Sequence, residues 1–293
     1  MKKKILFSLL SLVVCMFTMT ACSNDDDNNN GTTSGLKLTS IVDSDGDKTD
    51  FTYDNQGRIK KLSAYYSDGS GSEIYDYTYQ DNKIVVEETD NGRENEKYIT
   101  EYTLKDGLIV EALDGGQYSG KCKYTYAYDK DRQLISIIEK ESDDENDWWR
   151  TFETSINWKD GNIESFTEKK SGSFMIGSEQ WQSTCQYTSE FGVKGLAVAW
   201  WAINIFGREQ EDILFKLGYF GKQPKNLPSA IHAFSEQTYN DENGNPFTYR
   251  REEDYINSYG FEGKDGYVSS CTTTYKSSGS EETKTYISKF TWE

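Results

Sequence analysis

Polar and apolar residues alternate along most of the chain with a period of two. Before several short polar segments every second residue is aromatic or aliphatic, as at Tyr75, Tyr77 and Tyr79. This alternation is typical of a strand with one buried face. The same pattern recurs with apolar positions at Tyr98, Tyr102 and Leu104, at Tyr124, Tyr126 and Tyr128, at Phe152, Ile156 and Trp158, and at Tyr286, Phe290 and Trp292. The chain is therefore predicted to be all-β.

The segments between these strands are short and rich in Asp, Asn and Gly. Examples are Asp-Asn-Gln-Gly at 54–57 and Asp-Gly at 106–107 and 160–161. These residues tolerate the positive φ angles of tight hairpin turns. The apolar residues before the turns recur in steps of 26, 25, 24 and 30 residues, at positions 53, 79, 104, 128 and 158. Each repeat is thus one hairpin, and the fold is predicted to be a large up-and-down antiparallel meander, curled or partly closed into a barrel.

One stretch departs from the alternation. Residues 193–206 are almost continuously apolar, but the run is too short to span a membrane as a helix. Leu196, Trp200 and Ile203 have helical spacing, although a buried pair of strands also fits this run. A second short helix is predicted to begin at the acidic residues 209–212, which favour a helix N-terminus, and to end at Gly218.

The helical part is placed at 195–217, within an insertion covering 193–230. Two interpretations are open. The insertion either covers one face or end of the curled sheet, or forms the wall of a ligand cleft lined by Trp200, Trp201, Tyr219 and Phe220. A further candidate ligand contact is the adjacent pair Trp148 and Trp149, since neighbours in a strand face opposite sides and one of them is expected to be exposed.

The N-terminus is typical of a targeting segment, with three lysines followed by an apolar run. Met19-Thr20-Ala21-Cys22 resembles a bacterial lipobox, so residues 1–21 are predicted to be a lipoprotein signal peptide and Cys22 the lipidated residue. An ordinary signal cleavage after Ala21 is the alternative. Residues 22–35 are predicted to form a disordered polar tether, and residues 36–293 a single β-repeat domain.

Acidic residues outnumber basic ones by 49 to 32, which gives a formal net charge of −17. Removing residues 1–21 takes away three lysines and no acid, so the mature chain is more acidic still. Such a chain repels nucleic acid and anionic headgroups, and no nucleic-acid partner is expected. Membrane contact is predicted through the lipid anchor only.

The candidate chemistry is sparse. The chain has one histidine and no nucleophile, zinc or phosphate-binding motif, so no cofactor and no enzymatic activity are predicted. Asp43, Asp45 and Asp47 are a weak candidate for a metal site, but a hairpin turn is the preferred interpretation. Of the five cysteines, Cys122, Cys185 and Cys271 remain in the predicted domain and are expected to be free thiols.

Several segments of the sequence resemble known protein families. The Tyr-Asp-Asn-Gln-Gly-Arg-Ile unit at 53–59 resembles the tyrosine–aspartate repeats of Rhs-type shell proteins. The lipobox, the repeated units and the loop at 221–228 together resemble Bacteroidetes surface lipoproteins of unassigned function with a porin-like β-fold. The resemblance implies a curled antiparallel sheet and no catalytic residues. Unlike a porin, this chain alternates Lys, Glu and Asp on the outer side of its strands.

The predicted function is that of a non-catalytic envelope lipoprotein that binds a glycan or peptide. The Asp25–Asp27 triplet resembles the acidic export signal of surface lipoproteins, so the cell surface is the predicted location and the periplasmic face the alternative. Two other functions stay open. One is a structural component that docks an envelope protein through sheet edges, and the other is a periplasmic lipid carrier.

Overall fold

The structure is a computed structural model that describes residues 36–91, 96–115, 121–142, 148–172, 179–191, 209–240, 245–262, 267–280 and 282–293. Within these ranges, sixteen strands and one helix form an antiparallel barrel. The strands are β1 Leu38–Asp43, β2 Lys48–Tyr53, β3 Ile59–Tyr65, β4 Ser72–Gln80, β5 Lys83–Asp90, β6 Glu96–Lys105, β7 Leu108–Asp114, β8 Lys121–Tyr128, β9 Leu134–Ser142, β10 Trp148–Lys159, β11 Asn162–Gly172, β12 Glu179–Phe191, β13 Asn226–Asn240, β14 Pro246–Glu262, β15 Tyr267–Ser277 and β16 Thr283–Trp292. The helix, α1, covers Glu209–Lys216.

Each strand pairs with the next along the chain, and β1 pairs with β16 to close the sheet. The predicted all-β meander with a short helical insertion is confirmed, and the closure is complete. Because the strands run alternately up and down, their connections lie at two ends. We call the end that carries the β2–β3 turn and both Lys37 and Glu293 the closed end, and the other end the mouth. Lys37 and Glu293 exchange two backbone hydrogen bonds there, of 2.6 and 2.9 Å.

Among the described turns, the same five-residue turn is found at three places, beginning at Asp43, Asp54 and Asp129. In each turn one Asp carboxylate oxygen accepts hydrogen bonds from two backbone N–H groups, two and four residues further on. The fourth residue has a positive φ, which is easy for Gly46 and Gly57 and less so for Arg132. The Asp and Gly residues of the repeat are therefore explained by turn geometry.

Aromatic residues hold neighbouring hairpins together at the closed end. Each donates a hydrogen bond to a backbone carbonyl of the preceding hairpin or connection. The pairs are Tyr53 with Leu38, Tyr79 with Ile59, Tyr128 with Ile109, Trp158 with Leu134, Tyr259 with Pro228 and Trp292 with Val268, at 2.5 to 2.8 Å. Burial raises the pKa of Tyr53 to about 12 and also raises that of Tyr79, so these phenols stay protonated donors. This geometry explains the aromatic residues that precede the turns at positions 53, 79, 128 and 158.

Leu104 interrupts this series, and a loop compensates for it. The carbonyl oxygen of Tyr219 accepts a hydrogen bond from the Ile109 backbone at 2.8 Å, and the Tyr219 ring stacks on Tyr79. Gly221 lies so close to the β8–β9 turn that a Cβ atom would be 2.1 Å from the Arg132 carbonyl oxygen. The loop after α1 therefore seals the closed end.

The helix α1 lies in the barrel core, where Ile213 and Leu214 are completely buried. Its predicted start at 209 and its end before Gly218 are confirmed, and Gly218 has the positive φ typical of a residue that follows a helix. The part of the predicted helical segment at 195–208 lies outside the described residues. Burial lowers the pKa of the Lys216 amine to about 8, against the opposing effect of the Asp212 carboxylate.

The outer wall carries ion pairs between neighbouring strands. Examples are Lys83 with Glu101 at 2.6 Å, Lys123 with Glu111 at 2.7 Å and Lys61 with Asp76 at 3.3 Å. Exposed pairs of this kind each add less than about 1 kcal/mol to stability. In the described part of the chain, no helix has the length and hydropathy needed to cross a membrane.

Candidate functional site at the barrel mouth

The inward-facing side chains change character along the barrel axis. Toward the closed end they are aliphatic and fully buried, as at Ile59, Ile84 and Ile109. Toward the mouth the same alternating positions carry charged, amide and aromatic groups. These residues form two groups. The Phe152 cluster comprises Glu141, Arg150, Phe152, Glu168, Lys170, Glu179, Trp181 and Gln237, and the Arg251 cluster comprises Arg251, Glu253, Tyr255 and Tyr275.

Strand register assembles the Phe152 cluster. Phe152 of β10 lies opposite Lys170 of β11, and Lys170 lies opposite Glu179 of β12. The Phe152 ring has the Lys170 ammonium 5.0 Å from its centre and the Arg150 guanidinium carbon 5.3 Å away. Arg150 also binds Glu141, and Lys170 binds Glu179 at 3.1 Å. Both cations are thus fixed by an aromatic face and a carboxylate.

Glu179 is the centre of the hydrogen bonds in this cluster. It accepts from the Trp181 indole at 3.1 Å, from Lys170 and from the Gln237 amide. Burial works to raise the pKa of Glu179, but these hydrogen bonds outweigh it, so the pKa lies below the ordinary value. Glu179 therefore carries its charge in the folded protein.

The pKa of Glu168 is shifted in the opposite direction, above its ordinary value. Burial raises the pKa of Glu168, the nearby charge of Glu179 raises it further, and Lys170 offsets only part of this. Glu168 also lines a cavity of about 30 Å³, whose other walls come from Tyr124, Ile137, Glu139, Phe152, Thr154 and Glu211. This volume has room for a water molecule and is too small for an organic ligand. An organic ligand would therefore have to bind outside this cavity.

In the Arg251 cluster, the side chains of Arg251, Tyr255 and Tyr275 all bind one buried carboxylate, that of Glu253. Glu253 accepts from the Tyr275 hydroxyl at 2.8 Å and from the Tyr255 hydroxyl at 3.0 Å, one on each oxygen. The Arg251 guanidinium lies 2.5 Å from Glu253 and donates to the Tyr275 hydroxyl at 2.9 Å. The two tyrosine rings lie 5.0 Å apart. Charge-assisted bonds of this kind fix the orientation of the rings.

The hairpin of β13 and β14 extends this cluster at the mouth. The two strands stay paired as far as Asn240 and Pro246, whereas the pairing of β14 with β15 ends at Glu253. Phe247 and Tyr249 share the inward-facing side of β14 with Arg251. They are 58% and 45% exposed, so the hairpin presents two aromatic rings to solvent at the mouth.

Two of the six predicted ligand residues, Tyr219 and Phe220, lie at the closed end, away from these clusters. Phe220 is completely buried at the closed end, with its ring centre 4.8 Å from that of Tyr126 and 6.4 Å from that of Tyr102. Tyr219 is half-buried against Tyr79. Trp148 and Trp149 begin β10 at the mouth, and their side chains lie outside the described residues, as do Trp200, Trp201 and Cys22 entirely.

The predicted weak metal candidates form the β1–β2 turn. Asp43 accepts hydrogen bonds from the backbone of Asp45 and Asp47, and Asp47 accepts one from the backbone of Ser67 at 2.7 Å. The hairpin geometry thus explains why acidic residues recur there. The carboxylates of Asp43 and Asp47 thus already accept hydrogen bonds from the backbone.

The structure brings together one group of possible metal ligands that the sequence pattern did not predict. Among the described residues, ligand atoms of Cys122, Glu139 and Glu141 all lie within 4.8 Å of one another. Cys122 lies opposite Glu141 across β8 and β9, so the register would have been needed to find them. Arg150 already binds Glu141, and the Tyr124 hydroxyl donates to Glu139 at 3.1 Å.

Comparisons with known proteins place this barrel among related folds. A crystal structure of a porin-like protein from Bacteroides uniformis has a TM-score of 0.57 and 15% identity, and the match covers 89% of this chain and 96% of that one. A porin-like protein from Bacteroides vulgatus has a TM-score of 0.60 and 13% identity, with 88% and 99% covered. At these identities the likeness shows the fold alone. A search of curated proteins gave no significant match.

The sequence profile of one family matches residues 51–258, which is more than two thirds of the chain. This region begins within β2 and ends within β14, so it contains most of the repeated hairpins, α1, the whole Phe152 cluster and all of the Arg251 cluster except Tyr275. The chain belongs to the family described as a domain of unknown function (DUF4595) with porin-like fold.

Proposed function

We propose that the protein is a non-catalytic lipoprotein on the outer face of the outer membrane that binds a glycan at the barrel mouth. The observation that carries the proposal is the exposure of Phe247 and Tyr249 beside fixed polar groups. Binding sites for organic ligands combine aromatic surface with a few well-placed polar groups. Sugar rings need both, because their C–H faces pack on aromatic rings and their hydroxyls bind carboxylates, amides and guanidinium groups.

The polar groups at the mouth are suited to hydroxyl recognition. Arg251 lies on β14 with the exposed aromatics, and Gln237 lies opposite Tyr249 on β13. Both side chains are held by carboxylates, Arg251 by Glu253 and Gln237 by Glu179. Side chains that are fixed before binding lose little conformational entropy when a ligand arrives. The mouth therefore supplies aromatic stacking and oriented hydrogen-bond partners in one place.

The attachment point of the predicted tether supports an outward-facing mouth. The described chain begins at Leu36, and the adjoining Lys37 is hydrogen-bonded to Glu293 at the closed end. A lipid on Cys22 would join the membrane to this end of the domain. The proposal therefore has the closed end toward the membrane and the mouth toward solvent.

The non-catalytic assignment rests on the state of the carboxylates. Glu168 and Glu179 have pKa values shifted in opposite directions, a pattern that acid–base pairs in enzymes also have. However, Glu179 is bound by three donors from its own cluster, which leaves it poorly available as a base or nucleophile. We interpret the pair as part of the scaffold that holds Phe152 and Trp181.

The test measures binding of the purified full chain to a panel of soluble neutral and uronic-acid oligosaccharides by calorimetry. Tyr249→Ala is expected to weaken binding of a positive oligosaccharide by roughly tenfold, about 1.4 kcal/mol. Tyr65→Ala is the matched control, because Tyr65 is equally exposed, at 46%, but follows the inward-facing Ala64 and so lies on the outer wall. An equal loss in both variants, or no oligosaccharide binding at all, contradicts the proposal.

A further inference from the structure

The inward-facing side of β13–β16 has an excess of positive charge toward the mouth. The charged residues at inward-facing positions of these strands are Arg251, Glu253 and Lys284. Lys284 is placed on this side by register, because it lies opposite the inward-facing Tyr275 of β15. Two cations and one carboxylate leave this wall net positive, although the chain as a whole has a formal net charge of −17.

Arg251 keeps hydrogen-bond donors that a ligand can use. Its Nη2 atom donates to the Tyr275 hydroxyl at 2.9 Å and lies 2.5 Å from the Glu253 carboxylate. A guanidinium has five N–H groups, and within the described part of the chain those on Nε and Nη1 make no hydrogen bond. The Glu253 side chain is 9% exposed and that of Arg251 is 41% exposed. The buried carboxylate therefore fixes the guanidinium and leaves part of it open to solvent.

Lys284 supplies a second cation on the other side of Tyr275. The Lys284 side chain is exposed, and none of the described carboxylates forms an ion pair with it. Tyr275 is its cross-strand neighbour and also accepts the hydrogen bond from Arg251. Tyr275 thus lies between the two cations, and both of them border the aromatic surface at the mouth.

We propose that the glycan bound at the mouth is an acidic one, with a uronic-acid carboxylate that binds Arg251 and Lys284 while a sugar ring packs on Tyr249. This inference rests on the glycan-binding function proposed above and names its ligand class. Tyr249 and Arg251 are two residues apart on one side of β14, about 7 Å between Cα atoms. A ring on Tyr249 can therefore direct a carboxylate toward the guanidinium.

The two cations have complementary roles in this arrangement. A planar carboxylate matches the fork of a guanidinium, which can give it two parallel hydrogen bonds through Nε and Nη1 or their neighbours. The ammonium of Lys284 adds a charge that can approach from the opposite side of Tyr275. Because both groups are open to solvent, their attraction for an anion is expected to weaken as salt is added.

Charge balance favours an acidic sugar over a neutral one. The Glu253 carboxylate is already compensated, since it accepts from Tyr255 and Tyr275 and is paired with Arg251. The charge of Lys284 has no such counterpart among the described residues. A uronic acid supplies the countercharge, whereas a neutral sugar offers hydroxyl groups only.

The first experiment compares matched ligands by calorimetry on the full chain. Each uronic-acid oligosaccharide that binds is measured against its carboxyl-reduced counterpart, which has the same linkage and length but no charge. The acidic member is expected to bind roughly tenfold more tightly. This ratio is expected to fall when NaCl is raised from about 50 mM to about 500 mM.

The outcomes separate this inference from the function on which it rests. Equal affinity for the two members of a pair, or a panel in which only neutral oligosaccharides bind, overturns the acidic specificity and leaves glycan binding intact. Failure of every oligosaccharide to bind overturns both proposals.

The second experiment repeats the comparison with variants whose folding is checked by thermal unfolding. Lys284→Gln removes the unpaired cation and is expected to reduce the acidic preference several-fold. Lys276→Gln is the matched control, because Lys276 lies on the same hairpin next to Tyr275 but on the outer wall, and it is expected to keep the preference. Arg251→Lys keeps a cation beside Glu253 but loses the guanidinium fork, so most of the preference should disappear. An unchanged preference in both Lys284→Gln and Arg251→Lys, or an equal loss in Lys276→Gln, overturns the proposal.

Discussion

The two ends of the barrel use the same kind of residue for different purposes. At the closed end, inward-facing aromatic side chains such as Tyr79 and Trp158 donate to backbone carbonyl oxygens. At the mouth, Tyr255 and Trp181 occupy equivalent alternating positions, but their donors are used on carboxylates. The comparison shows that the acceptor, and not the aromatic residue itself, separates the structural end from the candidate site.

This difference has an energetic reason. A backbone carbonyl is a neutral acceptor, so a buried phenol or indole can satisfy it without bringing a charge into the core. A carboxylate must stay near solvent or be matched by several donors, which happens for Glu179 and Glu253 at the mouth. The closed end is therefore expected to dominate stability, and the mouth to respond to ligand and pH.

The largest expected effect is the difference in the free energy of unfolding between the alanine variants of Trp158 and Trp181. Trp158→Ala removes a ring that packs against the core and a hydrogen bond to Leu134, and is expected to cost about 3 kcal/mol or more. Trp181→Ala removes a half-buried ring at the mouth and a bond to Glu179, and is expected to cost about 1 kcal/mol. Urea unfolding of both variants measures the difference.

Binding gives the complementary readout for this pair. The folded fraction of Trp158→Ala is expected to keep its affinity for a bound oligosaccharide, whereas Trp181→Ala weakens it. Trp158→Phe is a useful control, since it keeps most of the ring but loses the indole N–H. Equal destabilisation by the two alanine substitutions would show that the ends do not differ in the way described.

A second prediction concerns the loop that seals the closed end. Gly221 has a φ of +88°, and an added Cβ atom would meet the Arg132 carbonyl at 2.1 Å. Gly221→Ala is therefore expected to destabilise the protein by about 2 kcal/mol or more, because backbone must move as well as adopt a strained angle. Thermal unfolding measures this loss.

The control for this substitution lies at the mouth. Gly69 in the β3–β4 turn has a similar φ of +75°, but nothing lies within 4 Å of an added Cβ atom. Gly69→Ala thus carries the backbone strain without the clash, roughly 1 kcal/mol. If the two alanine variants lose the same stability, the contact between the loop and Arg132 has no special role.

The repeat made most of the fold predictable. Alternation at positions such as Tyr75 and Tyr77 indicated inward-facing strands, and Asp-Gly pairs marked the turns, because both signals are local. Complete closure was not predictable, since the pairing of β1 with β16 joins the two ends of the sequence. The acidic start at 209 and Gly218 located α1 for the same local reason that located the turns.

The candidate site was less accessible to sequence reasoning. The sequence analysis selected Phe220 as a ligand contact because it is aromatic and lies in the insertion. In the structure this side chain is completely buried and fills the core. Phe152 and Lys170 become neighbours only through the register of β10 and β11, and the exposure of Tyr249 depends on β14 extending past β15. Cross-strand register and strand length are set by the whole sheet, so no local pattern contains them.

The smallest expected effect is a pair of opposite pH dependences at the mouth. Burial and Glu179 raise the pKa of Glu168 in the folded state, so its ionisation opposes folding, and the stability present below the ordinary glutamate pKa of 4.5 is lost as the pH rises through the folded value. Glu168→Gln is therefore expected to gain stability relative to the original chain between pH 4 and pH 7.

Glu179 has a lowered pKa despite its burial, so its ionised form stabilises the fold at neutral pH and this stabilisation is lost as the pH falls. The loss of stability in Glu179→Gln should therefore be largest at pH 7. Both differences are expected to stay below about 1 kcal/mol because the groups are partly solvated. Urea unfolding at the two pH values measures them, and the same sign in both variants would contradict the opposing roles of these carboxylates.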